Sequence, residues 1–559
     1  MDWWRSLERA PEPLTRSQWA AVAAASLVAA ISRIFAIART PWDWDEMLFM
    51  LSLDHFDVAR HHPHPPGFPL YIASARLFRL LGLGDFRALQ AVGFLAAIAI
   101  VPAMFFLCRE LRMPFWTSIA AALLLAFFPN VWLYGGGALS DVPSMTLIVI
   151  AIALLLAGCR NANAYLAGAL VLAISAAFRP QNLLVGFAPF LIASRFRKRD
   201  VIRAIVLAGI VLAASYGAAA WLTGWSAYRD ALQAHRAYIV RTDSFLSPER
   251  PPLWRVFDDF FVMPYRAPLI DAIVAVSALI AILRRRPAVL AALAAFGPLC
   301  IFSWLMLDRY SASRFSIGYA PLVAILVADT LGVLCVSVVV LSVMFTWPAL
   351  TTLRTQISPP VQAVTSIPRD AVVYVQTAMA PFAEWYLRGD RVEFIGDAPP
   401  PAAWSEKQQA LYLAENPRGV PHGRLWDIAR HRYFDVSVRP VAERIVFGDG
   451  WYAEEGSPAQ PWRWMAAHSQ LELPAAGGNA RLELSFYVPL DALPARPTVT
   501  IRVDGRIVDQ FTATSQNVER DLVVRGRTLT IDTDRVAKPP RDPRVLGLRL
   551  NAIVWTTAA

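Results

Sequence analysis

Long apolar runs separated by short polar breaks fill the first 350 or so residues, after which the pattern changes. A helix needs roughly 20 apolar residues to cross the hydrocarbon core of a bilayer. By that measure spans fall at 17–38, 86–108, 114–130, 142–159, 162–178, 181–195, 201–222, 267–284, 287–306, 314–329 and 331–350. The prediction is an α-helical polytopic membrane protein with about eleven transmembrane helices, the fifth and sixth closely coupled. The breaks sort by charge. Arg109 with Arg112, Arg160, the run from Arg195 to Arg203, and Arg284–Arg286 all come to one side if the N-terminus is cytoplasmic, as the positive-inside bias requires. The other side then receives Pro41–Tyr71, the glycine-rich turn before Asp141, the 223–266 loop and everything after about Thr351. An odd number of spans places the C-terminal region outside the cytoplasm.

Within Pro41–Tyr71 two short helices are expected. Met47–Ala59 can set Leu48, Leu51 and Phe56 along one side, the pattern of a segment lying in the membrane interface. Pro65, Pro66 and Pro69 then break the chain before a second apolar helix, Leu70–Leu81. Beyond Thr351, residues 351–445 mix a strand-like AVVYV with a helical PFAEWYLRG and read as a small α/β segment. From 446 to 559 the runs RLELSFYVPL, TVTIRVDG, RIVDQFTAT, DLVVRG and LTIDT alternate between Gly, Pro and Asp turns, which predicts a β-sandwich. Trp451, Tyr452, Trp462 and Trp464 gather at its start; they are suited to stacking on sugars or to core packing.

Composition agrees with a membrane protein. The 559 residues are 56% hydrophobic and 17% charged, with a mean hydropathy of +0.41, which excludes an ordinary soluble enzyme. The net charge of +10 lies at the ends of apolar runs, so it argues topology and no nucleic-acid partner. Cys108, Cys159, Cys300 and Cys335 sit in or beside apolar runs with no paired spacing, and neither a disulfide framework nor a zinc site is indicated. The run from about Ala20 is long and lacks a cleavage site, and reads as a signal anchor.

The candidate chemistry gathers in the first external loop. WDWDE places Asp43, Asp45 and Glu46 within four residues, and like charges so close raise at least one pKa unless a cation compensates. That suits a general base or a carboxylate beside a metal; Asp45 is equally placed to cap a helix starting near Met47. His61, His62 and His64 before Pro65-Pro66-Gly67 offer a phosphate or metal contact, or only a polar turn. Asp141, after the Gly135–Gly137 turn, fits either a site wall where the glycines let backbones approach closely, or the cap of the next helix. Arg179 and Arg314, both at external ends of spans, are suited to bidentate phosphate contact or to snorkelling at the interface. Neither a Walker nor a dinucleotide fingerprint is present.

The order of WDWDE (Trp42–Glu46), HPPGFPLY (His64–Tyr71), ALSDVPS (Ala138–Ser144), FRP (Phe178–Pro180) and RFSIGYAPL from Arg314 resembles the GT-C superfamily of membrane glycosyltransferases, over residues 1 to about 350. Within it the chain looks most like protein O-mannosyltransferases and aminoarabinose lipid A transferases. The resemblance implies transfer of a sugar, with inversion, from a polyprenyl-phosphate donor to an acceptor hydroxyl on the external face of a bacterial inner membrane, with the C-terminal domain periplasmic. It implies Asp45 as base with Glu46 beside it, and Asp43 is an extra carboxylate that leaves the choice of base open. It implies donor-phosphate contacts at His64, Arg179 and Arg314. Asp141 would be the acidic residue of the second external loop, a ligand if a divalent metal (Mg or Mn) takes part. The acceptor, whether glycan, lipid or protein, is unspecified. The competing class is a lipid-linked sugar flippase or transporter with an external sugar-binding domain; the gathering of ionisable residues at one face favours the enzyme.

Overall fold

The computed structural model describes residues 9–248, 250–388, 391–415, 436–457, 460–476, 478–540 and 542–557. Their contacts divide into a helical unit running to Pro359 and a second unit from Pro360 onward.

Each apolar run predicted to span has become a helix within a few residues of its expected bounds. They are α1 (Arg16–Ile34), α4 (Asp85–Glu110), α5 (Phe115–Phe127), α7 (Asp141–Gly158), α8 (Ala162–Phe178), α9 (Asn182–Phe196), α10 (Val201–Thr223), α13 (Pro268–Arg284), α14 (Pro287–Met306), α16 (Ala320–Leu331) and α17 (Cys335–Thr355). The polar breaks hold α2 (Trp44–Asp54), α3 (Pro69–Leu80), α6 (Pro129–Tyr134), α11 (Trp225–Thr242), α12 (Leu253–Phe257) and α15 (Ala312–Phe315). Among the described residues 6 helical stretches are long and apolar enough to cross a membrane; α5, α8 and α9 are apolar but shorter. Burial separates the centre from the periphery. α7, packed by α4, α8 and α9, is buried over most of its length, and α10 is mostly exposed. Ile202, Ile205, Val206 and Ile210 of α10 stand exposed at the spacing that puts them along one side of a helix, as a lipid-facing surface demands.

The loop from Pro41 to Tyr71 departs from its expected form. α2 begins at Trp44 and ends at Asp54, and every residue from Glu46 to Leu53 is buried. It therefore has no apolar stripe lying in an interface, and the reason is visible in MLFMLSL: a helix apolar all round belongs inside. α3 is the amphipathic one, with Tyr71, Ile72 and Ala75 buried and Leu77, Leu80 and Leu81 exposed. It also closes the end of α2: Arg76 and Arg79 donate to the Ser52 and Leu53 carbonyls at 2.9 Å each, and Arg79 pairs with Asp54 at 2.6 Å. Helix α11 tethers the loop between them, because the Tyr228 hydroxyl donates to the Pro66 carbonyl at 2.9 Å.

In the second unit the α/β segment is a four-stranded sheet of β1 (Val372–Gln376), β2 (Arg391–Gly396), β3 (Ala410–Glu415) and β4 (Val436–Pro440), in the order β2-β1-β3-β4. β1 runs parallel to β2 and β3, and β4 is antiparallel to β3. The expected helix occupies Ala380–Tyr386. Residues 416–435 of this segment lie outside the described residues. The sandwich follows as β5 (Val446–Phe447), β6 (Glu455–Ser457), β7 (Gln460–Trp464), β8 (His468–Glu472), β9 (Ala480–Tyr487), β10 (Thr498–Val503), β11 (Arg506–Thr512), β12 (Asn517–Val524), β13 (Thr528–Thr533) and β14 (Arg549–Thr557). Two five-stranded sheets, β11-β10-β13-β8-β5 and β12-β9-β14-β7-β6, enclose Leu471, Leu482, Leu484, Phe486, Ile501, Leu529, Ile531 and Leu550. Of the four aromatic residues at its start, Trp451 packs on this core. The Tyr452 hydroxyl donates to the Val545 carbonyl at 2.9 Å, while Trp462 and Trp464 flank the Arg549 guanidinium.

Candidate active site

The predicted residues of the helical unit converge, and the backbone explains how. Asp43, with extended φ/ψ, caps α2 and accepts the Asp45 backbone N–H at 2.9 Å. The cap expected of Asp45 therefore falls to Asp43, because the helix starts at Trp44, one turn earlier than its apolar run suggests. Glu46 completes a capping box, accepting the Trp42 and Asp43 N–H groups on Oε2 at 2.6 and 3.0 Å. Its Oε1 accepts the Ala138 N–H at 2.7 Å, which ties the loop to the turn before α7. That turn needs its glycines. A Cβ on Gly136 would collide with the Ala36 carbonyl, and one on Gly137 would sit 2.8 Å from Glu46 Oε1. Gln90 of α4 locks the same junction, donating to the Gly136 and Ala38 carbonyls at 2.7 and 3.0 Å.

With its backbone held this way, the Asp45 side chain reaches Arg314. Arg314, on the short α15, meets three carboxylates: Asp45 at 2.7 Å, Asp141 at 3.0 Å and Asp43 at 3.3 Å. Asn130 of α6 holds α15 in place through the Ser313 carbonyl and Ser316 hydroxyl at 2.7 and 2.9 Å. Arg179, at the C-terminal cap of α8, pairs with Asp141 at 2.8 Å, donates to Ser140 Oγ at 3.0 Å and lies over the Phe68 ring. Asp141 is thus the first residue of α7 but not its cap; Ser140 holds that position and makes no side-chain cap bond.

Three carboxylates against two guanidiniums leave the cluster formally one negative charge in excess. Exposure distinguishes them: the side chain is 23% exposed for Asp45, 12% for Asp43 and 3% for Asp141. Asp45 is the carboxylate with an open edge. His64 stands 3.7 Å from its other oxygen, too far for a hydrogen bond, with its ring edge-on to Phe68 at 4.7 Å. Burial is the main cause that drives the His64 pKa down to about 4, with His235, Arg314 and Arg179 adding to it. The imidazole is neutral near pH 7 and brings no positive charge of its own, unlike Arg179 and Arg314 beside it. His235 lies 6.3 Å from His64; it and His61 are also shifted down, by burial first. Burial has the opposite effect on Glu46 and raises it to about 7 against the pull of its three backbone donors.

Among the described residues no group of three or more His, Cys, Asp or Glu is arranged to hold a metal ion. Asp141, expected as a ligand, meets two guanidiniums. Gln90 and Asn130 were not among the expected site residues; a lone amide inside an apolar run is the signal that marks each.

No family model and no curated protein matches this chain. Solved structures do resemble it loosely. ArnT from Cupriavidus metallidurans bound to undecaprenyl phosphate is 12% identical over 72% of this chain and 94% of its own, with a TM-score of 0.44. The arabinosyltransferase EmbB from Mycobacterium smegmatis is 13% identical over 99% of this chain and 66% of its own, at 0.42. The oligosaccharyltransferase AglB from Archaeoglobus fulgidus, in complex with an inhibitory peptide and a dolichol-phosphate, is 12% identical over 75% and 64%, at 0.39. Likenesses this loose transfer neither substrate nor chemistry to this chain.

Proposed function

We propose that the protein is an integral membrane glycosyltransferase that moves a sugar from a polyprenyl-phosphate carrier to an acceptor hydroxyl at the external face of the membrane. The observation that carries this reading is the cluster itself. One carboxylate, Asp45, keeps an open edge while Asp43, Asp141, Arg179 and Arg314 are buried and tied to each other behind it. Ionisable groups are costly beside a membrane unless they do chemistry or bind something, and this set supplies what the transfer needs. Asp45 takes the proton of the acceptor hydroxyl, whose oxygen attacks the anomeric carbon from the side opposite the carrier. The bond from that carbon to the phosphate oxygen breaks, and the phosphate leaves with the electron pair. Inversion follows from the single displacement. The leaving phosphate is anionic throughout and calls for fixed positive charge nearby, which Arg179 and Arg314 provide. Donor-phosphate contact at His64 is, on this reading, a hydrogen bond from a neutral ring. The positive-inside distribution of arginines supports an external loop and an external C-terminal unit.

Asp45→Asn tests the reading in nanodiscs, with a panel of polyprenyl-phosphate pentoses and hexoses as donors. General-base catalysis is worth typically 10²–10⁴-fold, so transfer falls by roughly that factor while donor affinity is kept. Asp43→Asn leaves the base in place and keeps the helix cap, since asparagine caps about as well as aspartate, so it costs less transfer than Asp45→Asn. Unimpaired transfer by Asp45→Asn removes the base from this position, unimpaired transfer by both variants places it outside this loop, and a wild type that transfers sugar from none of the donors returns the protein to the transporter class.

A further inference from the structure

The Tyr71 hydroxyl is a buried polar group with no hydrogen-bond partner among the described residues. The side chain is fully buried on α3. The ring is held edge-on by Phe49 at 5.0 Å and tilted against Phe178 at 5.9 Å, so packing fixes where the hydroxyl points. Phe178 immediately precedes Arg179, and Phe49 also packs on His64 and on Phe68, the ring beneath the Arg179 guanidinium, so Tyr71 sits beside the ion-pair cluster. A buried hydroxyl without a partner costs about 1–3 kcal/mol, and packing alone would be served as well by phenylalanine. Burial first, then the neighbouring Glu46 and Asp141 charges, push the phenol well above its ordinary pKa; it remains a neutral O–H, able to donate but not to attack.

We propose that Tyr71 Oη–H is a donor-binding group, giving its hydrogen bond to a phosphate oxygen of the polyprenyl-phosphate carrier beside Arg179 and Arg314. The proposal rests on the glycosyltransferase reading and assigns a further contact to its donor. Phosphate is the favoured partner because it only accepts, can take charge-assisted contacts from the neighbouring guanidiniums, and would satisfy a buried donor that has no partner among the described residues. No proton is transferred; as the bond from the anomeric carbon to oxygen breaks, the phosphate keeps the electron pair and the hydrogen bond shortens.

The test is direct binding of undecaprenyl phosphate, with undecaprenol as the phosphate-free control, to wild type and Tyr71→Phe in nanodiscs, alongside thermal unfolding of both. The substitution removes one oxygen and keeps the ring, so folding is preserved. A hydrogen bond to a charged group sets the expected loss of undecaprenyl phosphate affinity at about ten- to a hundredfold, with undecaprenol binding unchanged and the unfolding temperature equal to wild type or higher. Unchanged undecaprenyl phosphate affinity overturns the proposal, and so does a clearly lowered unfolding temperature, which would give the hydroxyl a structural partner. If wild type itself does not distinguish undecaprenyl phosphate from undecaprenol, the carrier reading fails and takes this proposal with it. If wild type distinguishes them and Tyr71→Phe does so equally, only the proposal fails.

Discussion

Two ion pairs in this chain have similar geometry and opposite surroundings. In the helical unit Arg314 meets Asp141 at 3.0 Å with both side chains 3% exposed. On the sandwich Arg481 meets Asp521 at 2.7 Å with 57% and 55% exposed. Distance ranks the sandwich pair as the tighter one. Water reverses the ranking, because exposed pairs are screened and each side chain has a hydrated alternative. A buried charge has no such alternative, so it must keep its partners. The surface pair has water to replace either partner, whereas the buried set has been brought from four separate segments to one point. Cost of that kind is what the proposed function accounts for, and it is why the shorter pair is the less informative.

Arg314→Gln is the severest way to break the contrast. It removes the cation shared by Asp43, Asp45 and Asp141 and leaves Arg179 alone against three carboxylates. Stripping one partner from a buried ionic network costs about 3–5 kcal/mol, and the Asp45 side chain loses the group that aims it. Thermal unfolding in detergent should fall markedly, and transfer should be lost in whatever fraction stays folded. A variant as stable as wild type would mean that the network is hydrated in solution and differs little from the surface pairs.

Glu46 sharpens the comparison through pH. Its carboxyl is raised from the ordinary 4.5 to about 7, mainly by burial. The folded state therefore holds a proton that the unfolded state gives up between those values. The stability this confers is fully present below about pH 4.5 and is lost as pH rises through 7, a swing on the order of 3 kcal/mol at 1.36 kcal/mol per pKa unit. Glu46→Gln does not titrate, and it can offer only one carbonyl oxygen where Oε1 and Oε2 together accept three backbone N–H groups. The variant should be less stable than wild type at both pH 5 and pH 8, with the larger gap at pH 5. A gap that does not change with pH would show Glu46 to be ionised throughout, as an exposed carboxylate would be.

How much of this was legible beforehand depends on the range of the interaction. The helices of the first unit were readable because a run of apolar residues is a local property, and the strands RLELSFY and TVTIRV because alternation is local too. The convergence of Asp43, Asp45 and Asp141 on Arg314 was not, since 173 residues separate Arg314 from Asp141 and the pairing exists only after the helices pack. The role of Asp43 was missed by a single turn: apolar periodicity begins at Met47, whereas the helix begins at Trp44. Burial of α2 on all sides was present in MLFMLSL but was read as a stripe. The neutrality of His64 depends on Phe49, Phe68 and His235 standing around it, and His235 comes from a loop far along the chain. Spacing within one loop predicts which groups are available, and packing decides their charge.

The smallest effect is expected on the sandwich, where the comparison would fail in the other direction. Arg481 donates to Asp521 through Nε and Nη2 at 3.0 and 2.7 Å, across the neighbouring strands β9 and β12, and Glu483 lies 3.2 Å away on the same strand. The geometry is bidentate, the strongest form such a pair takes. Both groups are nevertheless in water, and the two strands are already joined by a full antiparallel register from Ala480 to Tyr487 against Val524 to Asn517. The core beneath them, Leu482, Leu484 and Phe486, does not depend on the pair. Arg481→Ala should therefore leave the unfolding temperature of the full chain unchanged within error, at low salt and at 0.5 M salt alike, and leave transfer untouched. A clear loss at low salt that disappears at high salt would show the exposed pair to be contributing by charge, and exposure alone would then no longer separate the two regions.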